Sequence, residues 1–406
     1  MQKLLSKVSR APIVVIGIGF AGLLISDVSN AQVSMEYGAD LRYRYEWFDI
    51  DETSKASTVR LGLKAKANVG DYFSGFAEFE AVEQFNDGYN VPTVPDQNKP
   101  GYPVIADPSG SEMNQAYVQY ADPGGLLQMR AGRQEIMLNN GRFISTSGLR
   151  QNHQSFNGFT LTTVPVAGLK LEYGYLNRAL RVLGERASNG RADMDSHFYN
   201  LGYQIDNLGT LKTYGVLLDY DSEPTNSVDT YGVRFEGSSP MAGWQLLSTL
   251  EYAIQRDAGH NPNHVDAEYQ LLELGFQVSD IAYRAGYNLL SGESLTNKFI
   301  TPLSHTFNSL TELFLVNPSV GDNHGLEVFS VNAAGKVPGV DALTFLTVLY
   351  DYNADTGDAH YGNGLDLMLE YKGLSKTTIS WRLGRYWADE LNDDATRTSL
   401  YLAYSF

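Results

Sequence analysis

The sequence predicts an all-β protein, a transmembrane antiparallel β-barrel of about 18 strands. Three observations carry that prediction. Long segments alternate strictly between apolar and polar residues, their connections alternate between short and long, and the first 31 residues have the layout of a secretory signal.

The amino-terminal segment comes first. Lys3, Lys7 and Arg10 supply a positive region, Ile13 to Ile25 is apolar or glycine throughout, and Ser29-Asn30-Ala31 offers small residues for cleavage. Residues 1–31 are therefore expected to be a signal peptide, and 32–406 the barrel. Removing Lys3, Lys7, Arg10 and Asp27 moves the formal charge from −17 to −19. So acidic a chain is not expected to bind nucleic acid. Gly17, Gly19 and Gly22 spell a dinucleotide-binding fingerprint, but they fall inside the signal segment and no βαβ unit surrounds them.

Residues 33–47 show the alternation most clearly. Val33, Met35, Tyr37, Ala39, Leu41, Tyr43, Tyr45 and Trp47 alternate with Ser34, Glu36, Gly38, Asp40, Arg42, Arg44 and Glu46. Successive side chains of a strand point to opposite faces, so one wall is greasy and the other charged. Residues 59–69 repeat the pattern. Soluble half-buried strands alternate too, but these run longer than the usual five or six residues and match the length a tilted membrane strand needs.

Further strands are expected near 72–84, 112–121, 126–138, 156–164, 168–177, 197–206, 210–221, 228–237 and 243–254. The remainder fall near 265–278, 280–290, 325–334, 341–353, 363–372, 376–387 and 396–406, which makes eighteen, with sixteen as the alternative count. Gly70-Asp71, residues 122–125, 206–209, Ser279 and 373–375 read as tight turns. Residues 85–111, 139–155, 178–196 and 291–324 read as long loops, of which 85–111 and 291–324 either plug or narrow the lumen. Short turns on one side and long loops on the other is the plan of outer-membrane barrels. Leu400, Leu402, Tyr404 and Phe406 share one face of the last strand, and a terminal aromatic there resembles the signal read by the barrel-assembly machinery. Trp47, Trp244, Trp381 and Trp387 fall towards strand ends, where amphipathic rings settle at the membrane–water boundary.

A sheet in hydrocarbon must close, and sixteen to eighteen strands enclose water rather than packed side chains. The expected function is passage of polar or anionic solutes across the bacterial outer membrane, in contact with lipid and lipopolysaccharide. By alternation the lumen receives Arg42, Arg44, Arg60, Lys64, Lys66, Lys170, Arg234, Arg284 and Arg382. It also receives Glu36, Asp40, Glu78, Glu80, Glu172, Glu251, Glu273, Asp366 and Glu370. These charges either set selectivity across the pore or neutralise one another as a ladder along the wall.

No catalytic residue, metal site or cofactor is expected. The chain has no cysteine. His260 and His264 flank Pro262 in a loop-like stretch, and Asp351, Asn353 and Asp355 imitate the start of a calcium loop with its glycine one position late. No GxSxG or HExxH occurs.

Two stretches carry a family resemblance. The first is Gly132-Arg133-Gln134-Glu135, then Gly141-Arg142-Phe143-Ile144, Leu149-Arg150-Gln151-Asn152 and Phe156-Asn157-Gly158. The second runs from Gly286-Tyr287 through Leu290-Ser291-Gly292, Phe299-Ile300-Thr301-Pro302-Leu303 and Phe307-Asn308 to Phe314-Leu315 and Pro318. Together they resemble the alginate-export family of outer-membrane proteins. The resemblance implies a monomeric 18-stranded barrel with an arginine-lined constriction that passes an anionic polysaccharide. Arg133, Arg142 and Arg150 match the arginines of the family's first motif. The residues alone allow a second role, in which these arginines tie an inward loop to wall carboxylates. Alternatives to polymer export are a general diffusion porin or an oligosaccharide uptake channel, then an outer-membrane enzyme or a plugged structural barrel.

Overall fold

The computed structural model describes residues 32–304 and 308–406. The expected signal peptide, and the glycine fingerprint within it, lie outside the described residues. β1 (Val33–Asp49), β2 (Thr53–Val69) and β3 (Phe73–Gln84) begin the wall. β4 (Gly110–Ala121), β5 (Leu127–Gln134), β6 (Ser155–Val166) and β7 (Leu169–Leu180) continue it. Next come β8 (Arg191–Ile205), β9 (Gly209–Leu218), β10 (Val228–Pro240) and β11 (Gln245–Asp257). β12 (Asp266–Val278) and β13 (Ile281–Leu290) precede a long loop that holds a two-residue hairpin, β14 (Ser319–Val320) and β15 (Asn323–His324). β16 (Leu326–Val337), β17 (Val340–Asn353), β18 (His360–Leu374), β19 (Thr377–Ala388) and β20 (Ala395–Ser405) complete the chain.

Among the described residues, every strand but β14 and β15 joins one 18-stranded sheet. Neighbours pair antiparallel, and β20 pairs with β1 from Asp40↔Ser405 to Asp49↔Thr396. Closure begins at Asp40 rather than Val33, so the first turn of β1 pairs with β2 alone. That offset is the stagger a tilted barrel requires.

The faces are inverted relative to a soluble protein. Tyr37, Leu41, Leu63, Leu250, Leu274 and Phe276 are exposed on the outside, whereas Arg44, Glu46, Arg60, Glu78 and Glu80 are buried within. Lipid covers such an exterior. At the turn side, Phe73 meets Tyr120 with ring centroids 5.4 Å apart, Phe276 meets Tyr283 at 5.2 Å, and Tyr404 meets Phe406 at 4.9 Å. These rings form the boundary girdle, with Trp244 in the turn before β11. Trp381 sits deeper than expected, within β19.

Strand boundaries differ most at three places. β2 starts at Thr53 rather than 59, and β8 at Arg191 rather than 197, because both strands continue past the apolar belt. β5 stops at Gln134, four residues short of the expected end. Ile136 and Leu138 keep the apolar rhythm but are buried in the lumen, packed against loops instead of lipid. Two glycines permit this departure. Gly132 has φ +129, and a Cβ there would lie 2.3 Å from the Ala116 carbonyl oxygen. At the bulge beside Gly158, a Cβ would lie 1.9 Å from the Tyr175 carbonyl oxygen.

The two-faced wall gives a direct test. Leu250→Lys, on the outer face of β11, is expected to cost about 2–4 kcal/mol of folding free energy in lipid vesicles. Thr249→Lys, one residue away and facing Glu236 across the ladder, is expected to cost far less. Equal costs in urea titrations would contradict the assignment of faces.

Candidate functional site: a lumen crossed by its own loops

Three long connections turn inward: residues 85–109, 135–154 and 291–325. Backbone taken out of water needs hydrogen-bond partners, and an irregular loop cannot supply its own. The wall and the loops' polar side chains do so. Ser54 Oγ donates to the Pro103 carbonyl at 2.7 Å, and the Lys55 amide to that of Gly88 at 2.8 Å. Gln154 Nε2 donates to the Ser145 and Leu303 carbonyls at 2.8 and 2.9 Å. Gln255 pairs both its amide atoms with Ile300, at 2.9 and 2.8 Å. Asn317 Nδ2 donates to the Leu290, Ser291 and Phe299 carbonyls. The Asp366 carboxylate accepts from the Leu310 amide and from Ser309 Oγ, at 2.9–3.1 Å.

The second and third loops are also joined to each other. Ile144 and Leu303 form a parallel bridge. Around it Phe143 packs on Tyr214, Tyr269 and Phe299 with centroids 5.2, 5.9 and 6.1 Å apart. Phe314 stacks on Tyr352 at 4.3 Å. Gly384 lets the third loop lie against β19, since a Cβ would come within 2.6 Å of the Thr311 nitrogen. The lumen thus contains a hydrophobic core of its own.

Charged groups concentrate where β19, β20, β1 and β2 meet the second loop. Arg44 pairs with Glu46 and with Asp107 of the first loop. Arg150 pairs with Glu46 at 3.4 Å and with Glu312 of the third loop. Arg397 reaches the same two carboxylates at 2.9 and 3.2 Å. Arg60 bridges Asp40 and Glu80 at 2.6 and 2.8 Å, and Lys64 bridges Asp40 and Glu78 at 3.2 and 3.1 Å. These pairs are mostly dry, so each cation is held by an acid that would otherwise be buried alone. Arg42 differs. Its guanidinium donates to Gln151 Oε1 at 3.0 Å and to the Gly148, Arg150 and Gln151 carbonyls, fastening the second loop without meeting a carboxylate. Arg382 lies over the Tyr401 ring at 4.5 Å.

The remaining expected residues scatter. Arg142 stacks over Tyr269 at 5.3 Å and donates to Asn308 Oδ1 at 3.4 Å. Arg234 is clamped by Glu236 and Glu251. Lys66 faces Glu36 at 3.8 Å near the turn side. Arg284 is half-buried on the inner face of β13, opposite Asn332 and Gly275. Arg133 is a correction: it pairs across with Ala116 and shares the outward face of Ala131, while its neighbour Gln134 points inward. At the rim it donates to the Met113 carbonyl at 2.6 Å and meets Glu185 at 3.2 Å. Two arginines of the motif, Arg142 and Arg150, are therefore brought into the lumen, and the third is not.

Several members of the cluster went unnoticed in the sequence. Arg397 and Tyr401 were legible, since they alternate with Leu400 and Leu402 on the last strand. Asp107 and Glu312 were not, because loop residues have no periodicity that reveals where they fold. Of the loop-like stretches weighed as metal sites, His264 contacts Asp257 at 3.1 Å on the exposed connection after β11, and Asp351 contacts His360 at 2.9 Å. At the same rim Arg181 grips Glu223 at 2.7 and 2.6 Å, which holds that carboxyl below its ordinary range.

A closed barrel with an apolar exterior and a polar interior narrowed by loops defines an outer-membrane channel protein. The chain belongs to the alginate export family, whose model matches residues 33–292. No curated protein sequence matches it. Solved structures similar in fold include OccAB4 of Acinetobacter baumannii, at TM-score 0.71 and 14% identity over 92% of this chain and 98% of that one. OpdL of Pseudomonas aeruginosa is similar at TM-score 0.70 and 14% identity, covering 92% and 99%. Pseudomonas aeruginosa OpdK with vanillate is similar at 0.69 and 14%, covering 91% and 98%.

The arginine–carboxylate cluster predicts a local effect. Arg150→Met leaves Glu312 with Arg397 alone and Glu46 with Arg44 and Arg397, and should destabilise the second loop by about 3–5 kcal/mol. Hydrogen exchange in residues 145–154 is expected to accelerate while β1 and β20 stay protected. Unchanged exchange there would show that the ion pairs do not hold the loop.

Proposed function

We propose that this barrel passes small polar or anionic solutes by diffusion down their gradients. The observation that carries the reading is the set of joined loops in the lumen, which occupies part of the bore and leaves cavities between loop and wall. Fixed pairs such as Arg60 with Glu80 and Arg234 with Glu251 consume most of the lumen's positive charge. A wall so balanced suits small solutes met by a few groups at a time. The vanillate bound by OpdK, a small aromatic carboxylate, is consistent with that size class.

Export of an anionic polysaccharide is the second reading. The family name favours it, and so do Arg382 and Arg284, which lie on the inner face with no carboxylate within 4.0 Å among the described residues. Arginine takes a uronate carboxylate through two parallel N–H bonds.

Planar-bilayer recording of the purified chain under a salt gradient separates these. Discrete conductance with modest anion preference is expected, and vanillate is expected to lower the current more than long oligouronates do. Oligouronates crossing the bilayer would favour the export reading. No conductance at all would remove both. Arg284→Gln with Arg382→Gln is expected to move the reversal potential towards cations, and an unmoved potential would place both groups outside the path.

A further inference from the structure

The wall from β5 to β9 borders space that the inward loops leave open. Two adjoining cavities lie there, of about 430 and 330 Å³, and Met137, Lys170 and Glu172 line both. Asn200, Gln204 and Lys212 line the first, and Arg130 lines the second. Lys170 follows the tight turn between β6 and β7, so the chamber faces the turn side of the barrel. Met137 is set into it from above: Ile136 and Leu138 are 9% and 2% exposed, whereas Met137 is 59% exposed.

The polar groups of this chamber are unevenly committed. Glu172 accepts from Lys170 Nζ at 2.7 Å through one oxygen and from Asn200 Nδ2 at 2.8 Å through the other. Glu236 likewise accepts from Arg234 Nε at 2.9 Å and from Lys212 Nζ at 2.6 Å. Both oxygens of each carboxylate are engaged. A lysine ammonium carries three N–H donors, and each of these lysines spends one of them on its acid. Arg130, which lines the second cavity, donates through Nε to Gln119 at 2.7 Å and lies over Tyr117 at 5.0 Å. Glu135 at the upper edge is turned to His153 and Asn114, at 2.8 and 2.7 Å. The acids keep their charge but their acceptor oxygens are spent. What the wall offers a solute is therefore unused N–H donors, together with the charge of Arg130, which no carboxylate pairs among the described residues.

We propose that this chamber is a binding station for small carboxylates and similarly acceptor-rich anions, entered past the apolar lip of Met137. The solute path then follows the β5–β9 wall rather than the arginine cluster on β19 to β2. The placement of the station on a path rests on the channel reading above, but anion binding in the chamber is testable without conductance.

Because the chain contains no cysteine, one introduced thiol reports on one place. In the detergent-solubilised full chain, Met137→Cys is expected to react about tenfold faster with a sulfonate-bearing methanethiosulfonate than with its ammonium counterpart. Adding Lys170→Gln and Lys212→Gln is expected to remove that preference, and glucuronate is expected to slow the reaction several-fold in the chain that keeps both lysines. Gln204→Cys is a second reporter should substitution at 137 impair folding. Equal rates with the two reagents, or no protection by glucuronate, would overturn the proposal. So would faster reaction at Ser399→Cys, in the arginine cluster, than at Met137→Cys. Failure of the unmodified protein to conduct, with the thiol results as expected, would count against the channel reading and leave the anion site standing.

Discussion

A sheet immersed in hydrocarbon cannot leave an edge, because each unpaired N–H and C=O would lack a partner there. Every other feature of this molecule follows from that constraint. The strands must be long, their pairing must run without interruption from β1 round to β20, and their outward side chains must be apolar. What remains for the inward face is polarity, since alternation is enforced by the backbone itself. A ring of this many strands is too wide for wall side chains to fill.

The same accounting governs the interior. The loops that enter the lumen carry backbone that no ladder satisfies, so residues such as Gln255, Asn317 and Asp366 serve as substitutes for a neighbouring strand. Arginine takes this role as well as a pairing one. Arg42 binds three loop carbonyls, and Arg150 fixes its own loop to Glu46 and to Glu312. A cation in the lumen is therefore not automatically a selectivity element. Its bonding partners decide whether it serves architecture or solute. The contrast between saturated carboxylates and partly free lysines near Met137 applies the same test with the opposite outcome.

The fold was almost wholly legible in the sequence, because alternation over a dozen residues is a long signal that little else produces. The perfect two-faced runs of 33–47 and 59–69 became β1 and β2 with the faces expected. Ile136 and Leu138 mark the limit of that signal: an apolar residue facing a lumen core has the same rhythm as one facing lipid. The site was legible only in part. Wall residues such as Arg44 and Arg60 could be placed inward by parity, and Arg397 could have been. Arg133 could not, since its motif neighbours enter the lumen while its own parity turns it outward. Glu312 and Asp107 complete the cluster from loops, and no sequence period says where a loop will fold. The opening beneath Met137 depends on how the second loop packs against the wall, which is a tertiary property throughout.

The central claim is that an intact barrel is narrowed by loops anchored across its lumen. Single-channel conductance before and after replacing residues 136–153 with a short glycine–serine linker tests it most directly. The account predicts a several-fold larger conductance, with heat-modifiable migration showing that the barrel still closes. An unchanged conductance from a closed barrel would mean that the loop does not set the width of the path, and would contradict the account.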